Sequence, residues 1–246
     1  MNPFIPTAVQ DLLSKPISYY QENQSEGTQG KAPLTNVALI LDCSGSMSHG
    51  KDVTIEGFNT QVEVIRAGAK EAGATKYTDV QFSSNVNIRS IAGDLDHLVP
   101  LTDETYQPGG NTALLDAIGS TIAALLQTED INSPDTATLV TTFTDGQENA
   151  SRIYDAKTIK ALVQRLEATG RWTFALLGPQ TTVTSLADML AVKAKNVSGF
   201  DETSVTDKRM AFRKMAMANE QVMYSRKEGI KQFDALYDED KSKSSA

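Results

Sequence analysis

Asn36-Val-Ala-Leu-Ile-Leu-Asp-Cys-Ser-Gly-Ser46 is the stretch whose reading decides the fold. Asn36 to Leu41 is a short continuous apolar run, the pattern of a strand buried on both faces of a parallel sheet. The run then changes character. Asp42, Ser44 and Ser46 alternate at the C-terminal end of the strand, and Gly45 lets the chain turn back.

Working outward, strands and helices alternate. Ile55, Phe58, Val62, Ile65 and Ala69 share one helical face, and Gly73 follows as a stop. Tyr77 to Phe82 and Val86 to Ile91 read as strands separated by three residues, which predicts a hairpin. Leu114, Leu115, Ile118, Ile122, Leu125 and Leu126 mark an amphipathic helix, and Ala137 to Phe143 the next strand. A helix ending at Gly170, a strand over Trp172–Leu177, a helix over Val183–Leu190 and a weak strand over Lys195–Phe200 complete the alternation. This order predicts an α/β doubly wound domain, in which ligands sit at the C-terminal ends of the strands.

The flanks read differently. Residues 1–33 form an arm and linker: a short helix over Thr7–Leu13, stopped before Pro16, then a polar, glycine-bearing linker from Gln21 to Ala32. The arm carries Phe4, Ile5, Val9, Leu12, Leu13, Tyr19 and Tyr20, so it is expected to dock on this domain or on a neighbouring subunit. The body spans 34–202. A long helix from Val205 to Lys227, within a segment 203–230, is expected to pack on or beside the body, and 231–246 reads as a polar tail, disordered from Asp238 on. That helix holds four of the seven methionines, read as gap-filling packing residues. Its Lys208, Arg209, Arg213 and Lys214 are expected on a solvated face.

Composition narrows the function. The chain of 246 residues carries 23 Lys plus Arg against 31 Asp plus Glu, a net charge of −8. Without a basic cluster, that balance argues against nucleic acid and anionic lipid as partners. Cys43 is the single cysteine, so no intrachain disulfide can form, and it is expected as a small buried apolar residue. No targeting signal and no apolar run of about 18 residues is present, and a cytoplasmic location is expected.

Chemistry concentrates at three points. Asp42, Ser44 and Ser46 end the first strand. Pro108-Gly-Gly-Asn-Thr112 leads into the next helix, and Phe143-Thr-Asp145-Gly ends the following strand. Two carboxylates and three hydroxyls make an all-oxygen set suited to a hard divalent cation. Five side chains leave an octahedral shell incomplete, so an outside anionic oxygen can enter. Gly45, Gly109, Gly110 and Gly146 leave room for it.

These motifs resemble those of the von Willebrand factor A domain. Asp42-x-Ser44-x-Ser46 is similar to that family's metal-ion-dependent adhesion motif, Thr112 to its threonine and Asp145 to its second aspartate. The resemblance covers about residues 35–200. It implies a six-stranded sheet with one short antiparallel strand, assigned to Val86–Ile91, and helices on both faces. It also implies a Mg²⁺ or Mn²⁺ held by Asp42, Ser44, Ser46, Thr112 and Asp145, receiving a Glu or Asp carboxylate of a protein partner. The expected function is a non-enzymatic, intracellular adaptor or assembly component, its partner a co-assembled subunit or, as for many bacterial members, an AAA+ ATPase.

Two alternatives stay open. Gly45-Ser-Met-Ser-His-Gly-Lys51 fits a P-loop spacing and suggests a nucleotide hydrolase, but Asp52 stands where the Mg²⁺-binding hydroxyl belongs. Lys51 is therefore expected to be a solvated lysine. The other alternative is a structural subunit with a vestigial metal site. Only His49 and His97 are present, and no Ser–His–Asp or Cys–His arrangement is apparent.

Overall fold

The computed structural model describes residues 4–24 and 33–237. One six-stranded sheet carries the fold, in the order β3-β2-β1-β4-β5-β6. The strands are β1 (Leu34–Asp42), β2 (Ala74–Phe82), β3 (Val86–Asp94), β4 (Thr136–Phe143), β5 (Trp172–Pro179) and β6 (Val197–Phe200). All neighbours pair in parallel except β2 and β3, the antiparallel hairpin at one edge. The sequence assigned β3 as a short strand ending at Ile91. It reaches Asp94 and matches β2 in length, because its pairing with β2 continues across a register shift near Asp79 as far as Lys76 and Asp94.

Alternation along the central strands feeds two cores. Ala38 and Ile40 of β1 and Phe174 and Leu176 of β5 face α4 (Leu114–Leu125), α5 (Ala156–Ala168) and α6 (Val183–Leu190). Val37, Leu39 and Leu41 face α3 (Lys51–Ala72) and α7 (Val205–Lys227) on the other side. The helix ends follow local chemistry. Asp155 caps α5 by accepting from Thr158 N at 2.7 Å, and Ser204 caps α7 by accepting from Asp207 N at 3.2 Å.

The arm seats on the same domain. In α1 (Thr7–Ser14), Val9 is fully buried in the α4–α5 core, joined by Ile5. A second helix, α2 (Ile17–Glu22), continues from Pro16, and Arg165 of α5 donates to Lys15 O. The sequence expected a linker from Gln21. Gln21 and Glu22 instead complete α2, and the rest of that linker from Ser25 lies outside the described residues. The polar tail also begins later than expected. Phe233 and Leu236 are buried in the α3–α7 core, and Asn196 binds both Phe233 O and Leu236 N. Residues 238–246 lie outside the described residues.

The α3–α7 contact is close because α3 offers glycine where α7 offers bulk. A methyl group on Gly57 would fall inside the Phe212 ring, and one on Gly68 would lie 2.5 Å from Met223 Cγ. Phe212 cannot yield, since it stacks on Phe143 at 4.2 Å, and Phe143 stacks in turn on Phe200 at 5.0 Å. Overpacking of this kind costs about 1–3 kcal/mol, more than the ~1 kcal/mol that alanine gains over glycine in a helix. Gly57→Ala is therefore expected to lower stability by a net of about 1 kcal/mol in urea denaturation. Gly68→Ala should cost less, because Met223 can change rotamer. A stabilised Gly57→Ala would contradict this packing.

On the same face, Asp79 of β2 is buried and pairs with Arg89 of β3 at 2.7 Å, while its Oδ1 has no hydrogen-bond partner among the described residues. Burial pushes the carboxyl up to about 6, against the pull of Arg89. The folded state thus holds this proton more tightly than the unfolded chain, and the group contributes more stability as pH falls through 6. Asp79→Asn cannot titrate. The stability of wild type relative to Asp79→Asn should rise by about 2 kcal/mol between pH 7.5 and 4.5. A pH-independent difference in denaturation midpoints would contradict the assignment.

Candidate functional site

β1 and β4 are parallel neighbours, with Leu41 in register with Phe143, so both end at the same edge of the sheet. Asp42 at the end of β1, the turn after it as far as Ser46, and Thr144–Gly146 after β4 meet there. The loop before α4 closes over them: Gly45 N donates to Gly110 O at 3.1 Å, and Gly109 N donates to Cys43 O at 2.9 Å. All five residues singled out from the sequence are brought together. Ser44 Oγ lies 3.1 Å from Ser46 Oγ, and Ser46 donates to Asp145 Oδ1 at 2.5 Å. Thr112 joins across Gly146, where an added Cβ would sit 3.0 Å from Thr112 Oγ1 and 3.6 Å from Ser46 Oγ.

Asp42 is fully buried at the base of this cluster. Its Oδ1 accepts from Ser44 N at 2.7 Å and its Oδ2 from Thr144 Oγ1 at 2.6 Å. Burial raises its carboxyl to about 6; those hydrogen bonds pull it back and the nearby Asp145 adds to the rise. An acid held in this way is relieved by a cation as well as by a proton. Ser44, Thr112 and Asp145 are buried beside it, whereas Ser46, Gly109 and Gly110 are exposed. The cluster therefore opens to solvent at Ser46 and the glycines.

The set fits a hard divalent ion. Its donors are two carboxylates and three hydroxyls, all oxygen. Among the described residues no three of His, Cys, Asp and Glu are placed so that they could hold a metal ion together. Gly146 leaves open the space that a side chain would fill between Thr112 and Ser46.

Several residues that sequence reasoning missed hold this arrangement. Tyr106 is buried and donates to Asp42 O at 2.6 Å. Asn149 Oδ1 accepts from Thr112 N, and Asn149 N donates back to Thr112 O. Glu148 accepts from Leu115 N at the start of α4 and from Ala150 N, Ser151 N and Ser151 Oγ. Asp116 of α4 accepts from three successive backbone N–H groups, Arg152, Ile153 and Tyr154. The loop after β4 and the N-terminus of α4 are thus one hydrogen-bonded unit, and Thr112 is fixed within it.

The largest departure is Lys208. Instead of a solvated face, its side chain is fully buried, and Nζ lies 2.9 Å from Asp145 Oδ2 and 2.7 Å from His49 O. The spacing held the signal: Lys208 precedes Ala211, Phe212, Met215 and Val222 on the buried stripe of α7. Arg209, by contrast, is exposed and pairs with Glu56. The methionines divide, with Met215 and Met223 buried and Met210 and Met217 exposed. Lys51 is also not a solvated lysine. It is partly buried and pairs with Asp103 at 3.0 Å. Cys43 is buried and apolar in its surroundings, and His49 is exposed, its ring nitrogen donating to Thr203 O.

No family model matches the chain, and no curated protein sequence matches it. Solved structures do. The PilB minor pilin from Streptococcus sanguinis aligns at 14% identity over 81% of this chain and 63% of its own, with a TM-score of 0.56. The proximal thread matrix protein 1 of the mussel byssus, in a structure with a zinc-occupied metal-ion-dependent adhesion motif, aligns at 16% identity over 78% of this chain and 46% of its own, with a TM-score of 0.54. A von Willebrand factor type A protein from Catenulispora acidiphila is also matched, at 15% identity over 76% of this chain and 43% of its own, with a TM-score of 0.49. The chain spans less than two thirds of the length of each of these proteins, and at such identities the likeness is one of fold. With six strands in this order, one antiparallel edge strand and helices on both faces, the chain shares its α/β fold with the PilB minor pilin and the proximal thread matrix protein 1.

Proposed function

We propose that this chain is a non-enzymatic, metal-dependent protein-binding module, an adaptor or assembly component that takes a Glu or Asp side chain of a partner at the crevice between β1 and β4. The observation that carries this reading is the convergence of Asp42, Ser44, Ser46, Thr112 and Asp145 into one oxygen-only cluster open to solvent at Ser46. These five residues would hold a Mg²⁺ or Mn²⁺, directly or through water. When bound, the cation supplies a Lewis-acidic position that accepts an anionic oxygen. The zinc-occupied motif of the mussel protein supports a divalent ion on this fold.

The rest is done by the chain's own residues. Asp42 anchors the Ser44 loop through its backbone and keeps negative charge at the base of the crevice. Thr112, tied on both backbone sides to Asn149, presents its hydroxyl at a fixed height beside Gly146. Gly45, Gly109 and Gly110 keep the rim low enough for a side chain to approach. The nucleotide-hydrolase alternative has less support. The Gly45–Ser48 segment is a tight 3₁₀ turn with Met47 buried, and the Lys51 amine is held by Asp103. A co-assembled subunit or an AAA+ ATPase is the class of partner we propose, in the cytoplasm. Among the described residues no helix is long and apolar enough to cross a membrane.

Two outcomes are expected. Mg²⁺ should raise the thermal midpoint of the wild type, by the equivalent of about 2.7 kcal/mol at a hundredfold excess over Kd, and leave Asp42→Ala unmoved. An identical response in both proteins would remove the site assignment. Thr112→Val should keep the circular dichroism spectrum and weaken partner capture from native extract about tenfold, a loss near 1.4 kcal/mol. Chelator should reduce capture by the wild type in the same way. Capture insensitive to chelator and to Thr112→Val would place the binding surface elsewhere on the chain.

A further inference from the structure

Asp145 uses both of its carboxylate oxygens. Oδ1 faces the proposed metal position through Ser46, while Oδ2 is taken by the Lys208 ammonium at 2.9 Å. Neither group is solvated: the Lys208 side chain has no exposed surface and that of Asp145 has 2%. The ammonium is also fastened to His49 O at 2.7 Å, in the same loop that carries Ser44 and Ser46. Its aliphatic stem runs along Gly50, where an added Cβ would be 3.4 Å from Lys208 Cδ. Gly50 has φ of +78°, so the chain keeps a glycine where the lysine passes.

A buried cation on one oxygen of a carboxylate competes with any cation on the other. The ammonium neutralises charge that a divalent ion would otherwise use, and it repels that ion across a water-poor space where screening is weak. We propose that Lys208 is an internal counter-cation that sets the divalent-metal affinity of the crevice low, and that it is displaced from Asp145 when the metal enters. This rests on the metal-binding reading above and adds a regulator to it. α7 contributes no oxygen ligand in that reading; through Lys208 it contributes the competing charge. Lys208 is thus an affinity-determining residue that touches a proposed metal ligand without being one.

The test is calorimetric titration of the full chain with Mg²⁺ alone, comparing wild type, Lys208→Met and Lys208→Arg. Lys208→Met keeps the volume and the apolar stem and removes the charge. It is expected to bind Mg²⁺ at least tenfold more tightly than wild type, while Lys208→Arg, which keeps the charge, stays within a fewfold of wild type. Equal or weaker binding by Lys208→Met overturns the proposal and leaves the metal reading standing. Binding by none of the three overturns both.

A second measurement needs no variant. Amine labelling of wild type by an N-hydroxysuccinimide ester, read by mass spectrometry, should leave Lys208 unmodified without metal and modify it at saturating Mg²⁺. A Lys208 still protected when Mg²⁺ is bound overturns the displacement.

Discussion

Asp42 and Asp145 end adjacent parallel strands and are buried next to each other, and much of the surrounding structure is arranged to hold those two charges. An uncompensated buried carboxylate costs several kcal/mol, so each needs donors delivered at fixed places. Asp42 gets a backbone N–H from the turn after β1 and a hydroxyl from Thr144 at the end of β4. Asp145 gets the Ser46 hydroxyl and the Lys208 ammonium. These partners come from β1's loop, β4's loop and the first turns of α7. The position of α7 is therefore tied to the site by charge at one end and, along its length, by the glycine faces of α3 that let Phe212 and Met223 approach.

The sheet and most helices were legible because their signals are local. β1 is a continuous apolar run, α4 and α5 carry clear 3.6-residue periodicity, and α5 ends in Ala168 just before Gly170. The five oxygen donors were legible for a different reason: in a doubly wound sheet the residues just past the strands share one edge, so order along the chain predicts meeting in space. What failed was long-range. The Gln21–Glu22 turn of α2 and the Phe233–Leu236 segment look polar or irregular in sequence, and become ordered by packing against α5 and by bonds to Asn196.

Lys208 shows the limit most clearly. A lysine next to Arg209 reads as half of a solvated basic pair, and for Arg209 that is correct. On a helix, however, neighbours in sequence point 100° apart. Lys208 belongs with Ala211, Phe212 and Met215, and its amine is supported by a carboxylate 63 residues away. The apolar stripe could have placed the stem inside. Nothing local could have named Asp145 as the partner, because that contact depends on α7 returning to lie across the end of β4.

The charge of the crevice then shapes what it can bind. Two carboxylates alone would present a charge of −2 to a divalent ion; with the Lys208 ammonium in place the starting charge is −1. On the proposed reading, a site that begins less negative would hold the ion less tightly, because moving the Lys208 ammonium off Asp145 takes up part of the free energy of metal binding. An arriving Glu or Asp would add a third anionic oxygen to the two protein carboxylates and so help to meet that cost. On that reading metal and acidic partner would favour each other's binding, by equal amounts in each direction as linkage requires. A metal site weakened by its own lysine would in this way be a site whose occupancy depends more on the partner than that of a crevice without the lysine.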